Sequence, residues 1–222
     1  MNPIPLIVFG ASGHARVILE MAERTGRFHI VGLLDSFKPV GERLLDHPVL
    51  GNESLLPALA AAHTGLQLHI AIGDNSARER ITRQLQADCP DISLATIIDP
   101  SAIVSRTAVI GPGTCIMPGA IINAGATIGM ACIINSRAVL EHDARMDDLS
   151  SLGPGAVAAG AATIGRSAAV LAGGVVKHGV SLADHSIART GAVVTSNTDP
   201  CCVLEGNPAT VKVQRNPGDR YL

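Results

Sequence analysis

The chain is nearly devoid of aromatic residues, with three Phe, one Tyr and no Trp among 222 residues. A core organised around large rings is excluded, so the interior has to be built from Ile, Val, Leu and Ala, which suits a narrow, repetitive core. Charge of one sign is also missing. Seventeen Lys and Arg stand against nineteen Asp and Glu, and the net charge of −2 offers no footprint for nucleic acid or an anionic membrane. The five cysteines lack a metal-like CxxC spacing, and Cys115 and Cys132 lie in apolar runs where Cys acts as a small hydrophobe. No apolar stretch of membrane-spanning length is free of Gly, and the start of the chain has no basic signal region. A reducing, cytoplasmic setting is expected.

What is present divides into two periods. Residues 1–92 read as a small parallel, Rossmann-like α/β domain. "LIVFG" (Leu6–Gly10), "HIVGLLD" (His29–Asp35) and "LHIAIGD" (Leu68–Asp74) are expected strands, and His14–Arg24 has helical spacing. Ser76 and Glu79 form an expected capping box before a second helix. Residues 93–222 change to a period of six. From Ile98 to Val194, fifteen of the seventeen residues at that step are Ile, Val, Leu or Met, and the other two are Ala. A small residue follows four positions later in each hexad, with Val180 the clear exception. Such a repeat is the mark of a parallel β-helix of hexapeptides, ending here in a C-terminal tail. Three hexads make one triangular coil, so the chain should hold five to six coils. Each coil stacks only on its neighbours and exposes flat faces, so a homo-oligomer is expected.

One segment interrupts the apolar repeat. Of the twelve charged residues in 98–198, five fall between 141 and 148 in "EHDARMDD". Leu140, Ala144 and Met146 keep the hexad, so the charges take mainly outward positions. His142 lies among them, flanked by Glu141 and Asp143. One coil on is Gly160 and two coils on is His178. At ~4.8 Å per coil, the two histidines should stand roughly 10 Å apart across a gap free of side chains. An imidazole beside a carboxylate suits a general base, because the carboxylate fixes its tautomer and stabilises the imidazolium.

"GASGHA" (Gly10–Ala15) follows a strand and opens a helix, where backbone N–H groups can cradle a phosphate. Ser12 and Ala15 replace two glycines of the dinucleotide fingerprint, and Asp35 ends the next strand, where it can bind a ribose or base.

Taken in order, "GASGHA", "LLDS", "IGDN", the hexads, "INSRAVLEHD" and "LEGNPA" resemble the sugar O-acyltransferase family from about Leu6 to Ala209. That family includes sialic acid O-acetyltransferases and nucleotide-amino-sugar N-acetyltransferases. The resemblance implies a left-handed β-helix, a homotrimer with sites between adjacent prisms, and acetyl-CoA as acyl donor without a metal. It implies His142 as base, Asp143 as its orienting acid and Asn135 close to the reacting groups. Gly10, Ser12, Gly13, His14, Asp35 and Ser36 would hold the nucleotide sugar, and Gly160, Ala172 and Gly173 would lie along the acetyl-CoA. Many relatives carry a second histidine nine residues after the base, and here that position is Ser151, assigned to substrate. The expected reaction is acetylation of a nucleotide-linked amino sugar, of 4-amino-4,6-dideoxy type, in surface-glycan synthesis. O-acetylation of sialic acid or a related sugar, a silent nucleotide-sugar-binding partner protein, and a metal site of γ-carbonic-anhydrase type stand as alternatives.

Overall fold

The computed structural model describes residues 3–221. Its first unit runs β1 (Ile4–Phe9), α1 (Gly13–Thr25), β2 (Phe28–Leu34), β3 (Arg43–Leu44), β4 (His47–Gly51), α2 (Leu56–Ala62), β5 (Gln67–Ile70), α3 (Asn75–Asp88) and β6 (Ser93–Leu94). The strands form one sheet in the order β3-β4-β2-β1-β5-β6, parallel except where β3 and β4 make a hairpin. In α1, buried Ala15, Ile18, Leu19, Met21 and Ala22 lie on one face at helical spacing. The helix ends at Gly26, whose positive φ lets its N–H reach the Glu23 carbonyl.

Two local expectations are corrected. The third expected strand is only Gln67–Ile70, because after Ala71 the chain leaves the sheet for the "IGDN" loop. The cap of α3 is Asp74, whose Oδ1 accepts from the Ala77 N–H at 2.9 Å, rather than a Ser76–Glu79 box. Glu79 instead faces the second unit, accepting from Arg166 Nη2 at 2.8 Å and Ser167 Oγ at 2.9 Å.

From Ile97 the chain winds as a left-handed parallel β-helix of two-residue strands eighteen residues apart. Its first face carries the strands beginning at Ile97, Cys115, Ile133, Ser151, Ala169 and Ile187. The second face carries those at Ile103, Ile121, Val139, Val157, Val175 and Val193, and the third those at Val109, Thr127, Arg145, Thr163 and Ser181. Residues at the sixfold step fill the interior, where Ile116, Ile122, Ile134, Leu140, Leu152 and Ile164 are fully buried. From Gly113 to Gly191 every sixth residue turns a corner with positive φ, and at seven of these corners the residue is not Gly. A hairpin of Cys202–Gly206 and Ala209–Gln214 caps the end.

The two units share a core. Ile97, Cys115 and Ile133 of the first face pack with Ala15, Ile18, Leu19 and Ala22 of α1. The first turn of α3 then reads successive corner carbonyls of the prism. Arg78 Nε donates to Ala131 O at 2.8 Å and Nη2 to Leu149 O at 2.8 Å, while Asn75 Nδ2 donates to Ala168 O at 3.0 Å. No helix among the described residues is long and apolar enough to cross a membrane.

Candidate active site

His142 occupies the corner between the second and third faces, one residue before the corner residue Asp143, which has φ 59°. Asp is one of the few non-Gly residues that tolerate this conformation. The turn brings Asp143 Oδ2 to 3.0 Å from His142 Nδ1, so Nδ1 carries the proton and Nε2 is left as the basic nitrogen. Only one of the flanking acids touches the ring. Glu141 accepts from Asn123 Nδ2 at 2.9 Å, one coil earlier, and braces the corner.

The gap expected beside His142 is filled. The His142 and His178 ring centroids are 6.2 Å apart, closer than backbone stacking alone implies, because both side chains lean over Gly160.

A second group of residues converges elsewhere. His14, Asn135, Ser151, Ala172 and Tyr221 line a cavity of about 230 Å³ between the first unit and the corner joining the first and second faces. Four of these five are expected site residues, drawn from four separate segments. The Nε2 atom of His14 is shut off from solvent and has no hydrogen-bond partner among the described residues, so it is a polar group open to a ligand. Asn135 Oδ1 accepts from the Ser136 N–H at 2.8 Å. Gly160 lies with His142, whereas Ala172 and Gly173 lie at the cavity corner. Within one chain, the His142 corner and the cavity corner are thus opposite edges of the second face.

Ser151 has protein partners. Its hydroxyl donates to Asn75 Oδ1 at 2.6 Å and accepts from Arg78 Nη2 at 3.2 Å. Arg78 is fully buried, and its side chain also donates to the carbonyls of Ile72 and Gly73, with no carboxylate among its hydrogen-bond partners in the described residues. Reading the sequence missed Arg78, Asn75 and Tyr221; Arg78 was legible only as an ordinary helix residue three positions after "DN". The Asn75 N–H donates to the Tyr221 hydroxyl at 3.1 Å.

The loop residues have a bracing role as well. Asp35 Oδ2 accepts from the Ala11 N–H at 2.8 Å and Oδ1 from the Phe37 N–H at 2.8 Å, tying the turn after β1 to the loop after β2. Ser36 Oγ donates to Glu53 at 2.8 Å. Gly10 has φ 108°, and a Cβ there would lie 2.8 Å from the Ala71 carbonyl oxygen, so the turn approaches β5 more closely than any side chain permits. Gly13 opens α1, and exposed Ser12 precedes it without a side-chain cap bond.

Burial, reinforced by His69 and Arg78, lowers the His14 pKa to about 3, and burial beside Arg78 lowers that of His69 to about 4. Both values lie below the ordinary 6.5 of an unfolded chain, so unfolding takes up protons. The neutral forms contribute stability that is complete above pH 6.5 and is lost as the pH falls toward 4. Urea unfolding should show a decline on the order of 1 kcal/mol per pH unit per histidine across that window. His69→Gln should flatten it; an unchanged slope would show that His69 is not held neutral.

An α/β unit clamped to a hexapeptide β-helix, with an imidazole–carboxylate pair on an outer edge, defines the two-domain class of hexapeptide acyltransferases. Residues 5–85 match the PglD N-terminal domain family. Over both units the chain is similar to PerB from Caulobacter crescentus in complex with CoA and GDP-perosamine, at 33% identity, 94% of this chain and 97% of that one, with a TM-score of 0.87. A histidine-to-alanine variant of GDP-perosamine N-acetyltransferase from the same organism, with the same ligands, gives 32% identity, 95% and 97% coverage, and a TM-score of 0.89. The acetyltransferase domain of PglB from Neisseria gonorrhoeae in complex with acetyl coenzyme A gives 27% identity, 95% and 100% coverage, and 0.87. No curated protein sequence matches the chain. The chain belongs to the hexapeptide-repeat sugar acetyltransferase family.

Proposed function

We propose that the protein is an acetyl-CoA-dependent N-acetyltransferase acting on the amino group of a nucleotide-linked amino sugar. The observation that carries this reading is the likeness, over both units at once, to an N-acetyltransferase holding CoA and GDP-perosamine. A 4-amino-4,6-dideoxy sugar in surface-glycan synthesis in the cytoplasm is the acceptor we favour. His142 acts as the base: with Nδ1 held by Asp143, its Nε2 takes a proton from the amine as it attacks the thioester. The first unit holds the nucleotide through the Gly10–His14 turn and Ser36, with Asp35 bracing that turn. The cavity beside His14, Asn135 and Ser151 receives the sugar and the acyl group. Small residues Gly153, Ala172 and Gly173 leave backbone accessible along that edge for an extended thioester arm.

The active unit is a homotrimer in this reading. The second face presents a column of Ile103, Ile121, Val139, Val157, Val175 and Val193, none of them buried in a single chain. A head-to-tail interface closed about a threefold axis covers this column. It brings the cavity edge of one protomer against the His142 edge of the next, so each site draws on two chains. Val157→Glu should therefore yield monomers by light scattering and abolish turnover, while the fold is kept. A trimeric, active Val157→Glu protein would sink this assembly.

The direct test is a panel of nucleotide 4-amino sugars with acetyl-CoA, following thiol release. Turnover of at least one amine is expected. Release with sialic acid and with no amine would replace N- by O-acetylation. Nucleotide binding with no release at all would mark a silent partner protein.

A further inference from the structure

We infer that His178 is a second imidazole of the same site, a proton relay that accepts, through one bridging water, the proton His142 removes from the acceptor amine. The inference rests on the assignment of His142 as base. Four observations support it. With Nδ1 held by Asp143, His142 has only Nε2 free to accept a proton. That atom faces Gly160: a Cβ built there would lie 2.7 Å from His142 Nε2 and 2.9 Å from His178 Nδ1, so both nitrogens are directed at one place. The rings are tilted by 47° with centroids 6.2 Å apart, and no direct hydrogen bond joins them. The two nitrogens, each within 3 Å of one point, are no more than 5.6 Å apart, a span that one water can bridge. His178 is exposed in the single chain, two coils along the edge from His142 and so further out from the reacting amine, and Gly160, with no side chain, is what lets the rings converge.

The step balances without another reagent. The amine nitrogen forms the C–N bond to the acetyl carbon, and the C–S bond breaks with its electron pair on sulfur. The proton lost by nitrogen passes from His142 Nε2 through the water to His178 and then to solvent, from which the thiolate takes one. His142 is neutral again once the product has drawn back from Nε2 and the water has taken its place there. Ser151, where many relatives carry a second histidine, hydrogen-bonds Arg78 and Asn75 and cannot titrate in this range. The prism places its second imidazole two coils above the first.

The experiment compares His178→Ala, His178→Gln and Gly160→Ala with the native trimer. For His178→Ala we expect kcat about tenfold lower, KM for both substrates unchanged, and recovery of rate when imidazole is added to the buffer. His178→Gln, which hydrogen-bonds but does not carry a proton, should stay as slow as the Ala variant. Gly160→Ala has an ordinary φ and meets only movable side-chain atoms, so it should fold and lose rate by separating the rings. Native kcat in His178→Ala, or a loss restored by Gln but not by imidazole, overturns the relay. His142→Ala, run beside them, separates the failures: if it turns over normally, the base assignment itself is wrong.

Discussion

Replacing His142 with Ala is expected to lower kcat by about three orders of magnitude and leave the melting temperature unchanged. The size follows from removing a positioned base, a contribution of ~10²–10⁴ in other enzymes. The unchanged stability follows from location. Within the chain the imidazole is 57% exposed and, among the described residues, its side chain hydrogen-bonds only Asp143, which is 70% exposed, so the prism itself loses no buried contact. Asp143→Asn should be milder, because the amide still accepts from Nδ1 but no longer offsets the imidazolium charge. A His142→Ala protein with near-native turnover would remove His142 from the chemistry and send the search for a base to the cavity beside His14.

The largest effect on stability is expected at Arg78, which lies beside the "IGDN" motif but belongs to none of the motifs. Arg78→Met should cost about 4 kcal/mol in urea unfolding and lower kcat as well. Six acceptors lose a donor together: the carbonyls of Ile72, Gly73, Ala131 and Leu149, the Asn75 amide oxygen and the Ser151 hydroxyl. Each buried acceptor left without a partner costs ~1–3 kcal/mol, and partial relaxation or entering water recovers some of the sum. Arg78→Lys should recover little, since one ammonium cannot span carbonyls on two coils and the loop before α3. The loss of rate follows because the same guanidinium holds Ser151 and Asn75, and with them the wall of the cavity, against the first unit. A loss below about 1 kcal/mol would mean that Arg78 is not what docks α3 on the prism.

Ser151 shows how far the motifs reach. From the sequence it is a serine where a second histidine is sought, with a hydroxyl offered to substrate. In the fold that hydroxyl is engaged by Asn75 and Arg78, which lie more than seventy residues away, and spacing along the chain carries no trace of them. The capping box fails for a related reason. Ser76 and Glu79 have the right spacing, but the helix starts two residues earlier with Asp74 as its cap, and Glu79 is drawn off by Arg166 and Ser167 of the prism. The distance between His142 and His178 fails for another. Stacking of coils sets the backbone separation, while the absence of a Cβ at Gly160 lets the rings move together.

By itself the sequence determined the architecture and the corner on which His142 stands. A repeat of six leaves one solution for where aliphatic side chains go, because each hexad must put its Ile, Val or Leu inside a prism of fixed width. It also determined that His142 and Asp143 meet, since they are neighbours on one tight corner. Only the tertiary structure decided what contacts between distant segments decide: that His14, Asn135 and Ser151 surround one cavity, that Arg78 locks the two units together, and that the cavity and His142 lie on opposite edges of one apolar face. Those contacts depend on how side chains fill the space between the units, and packing between distant segments leaves no period in the chain.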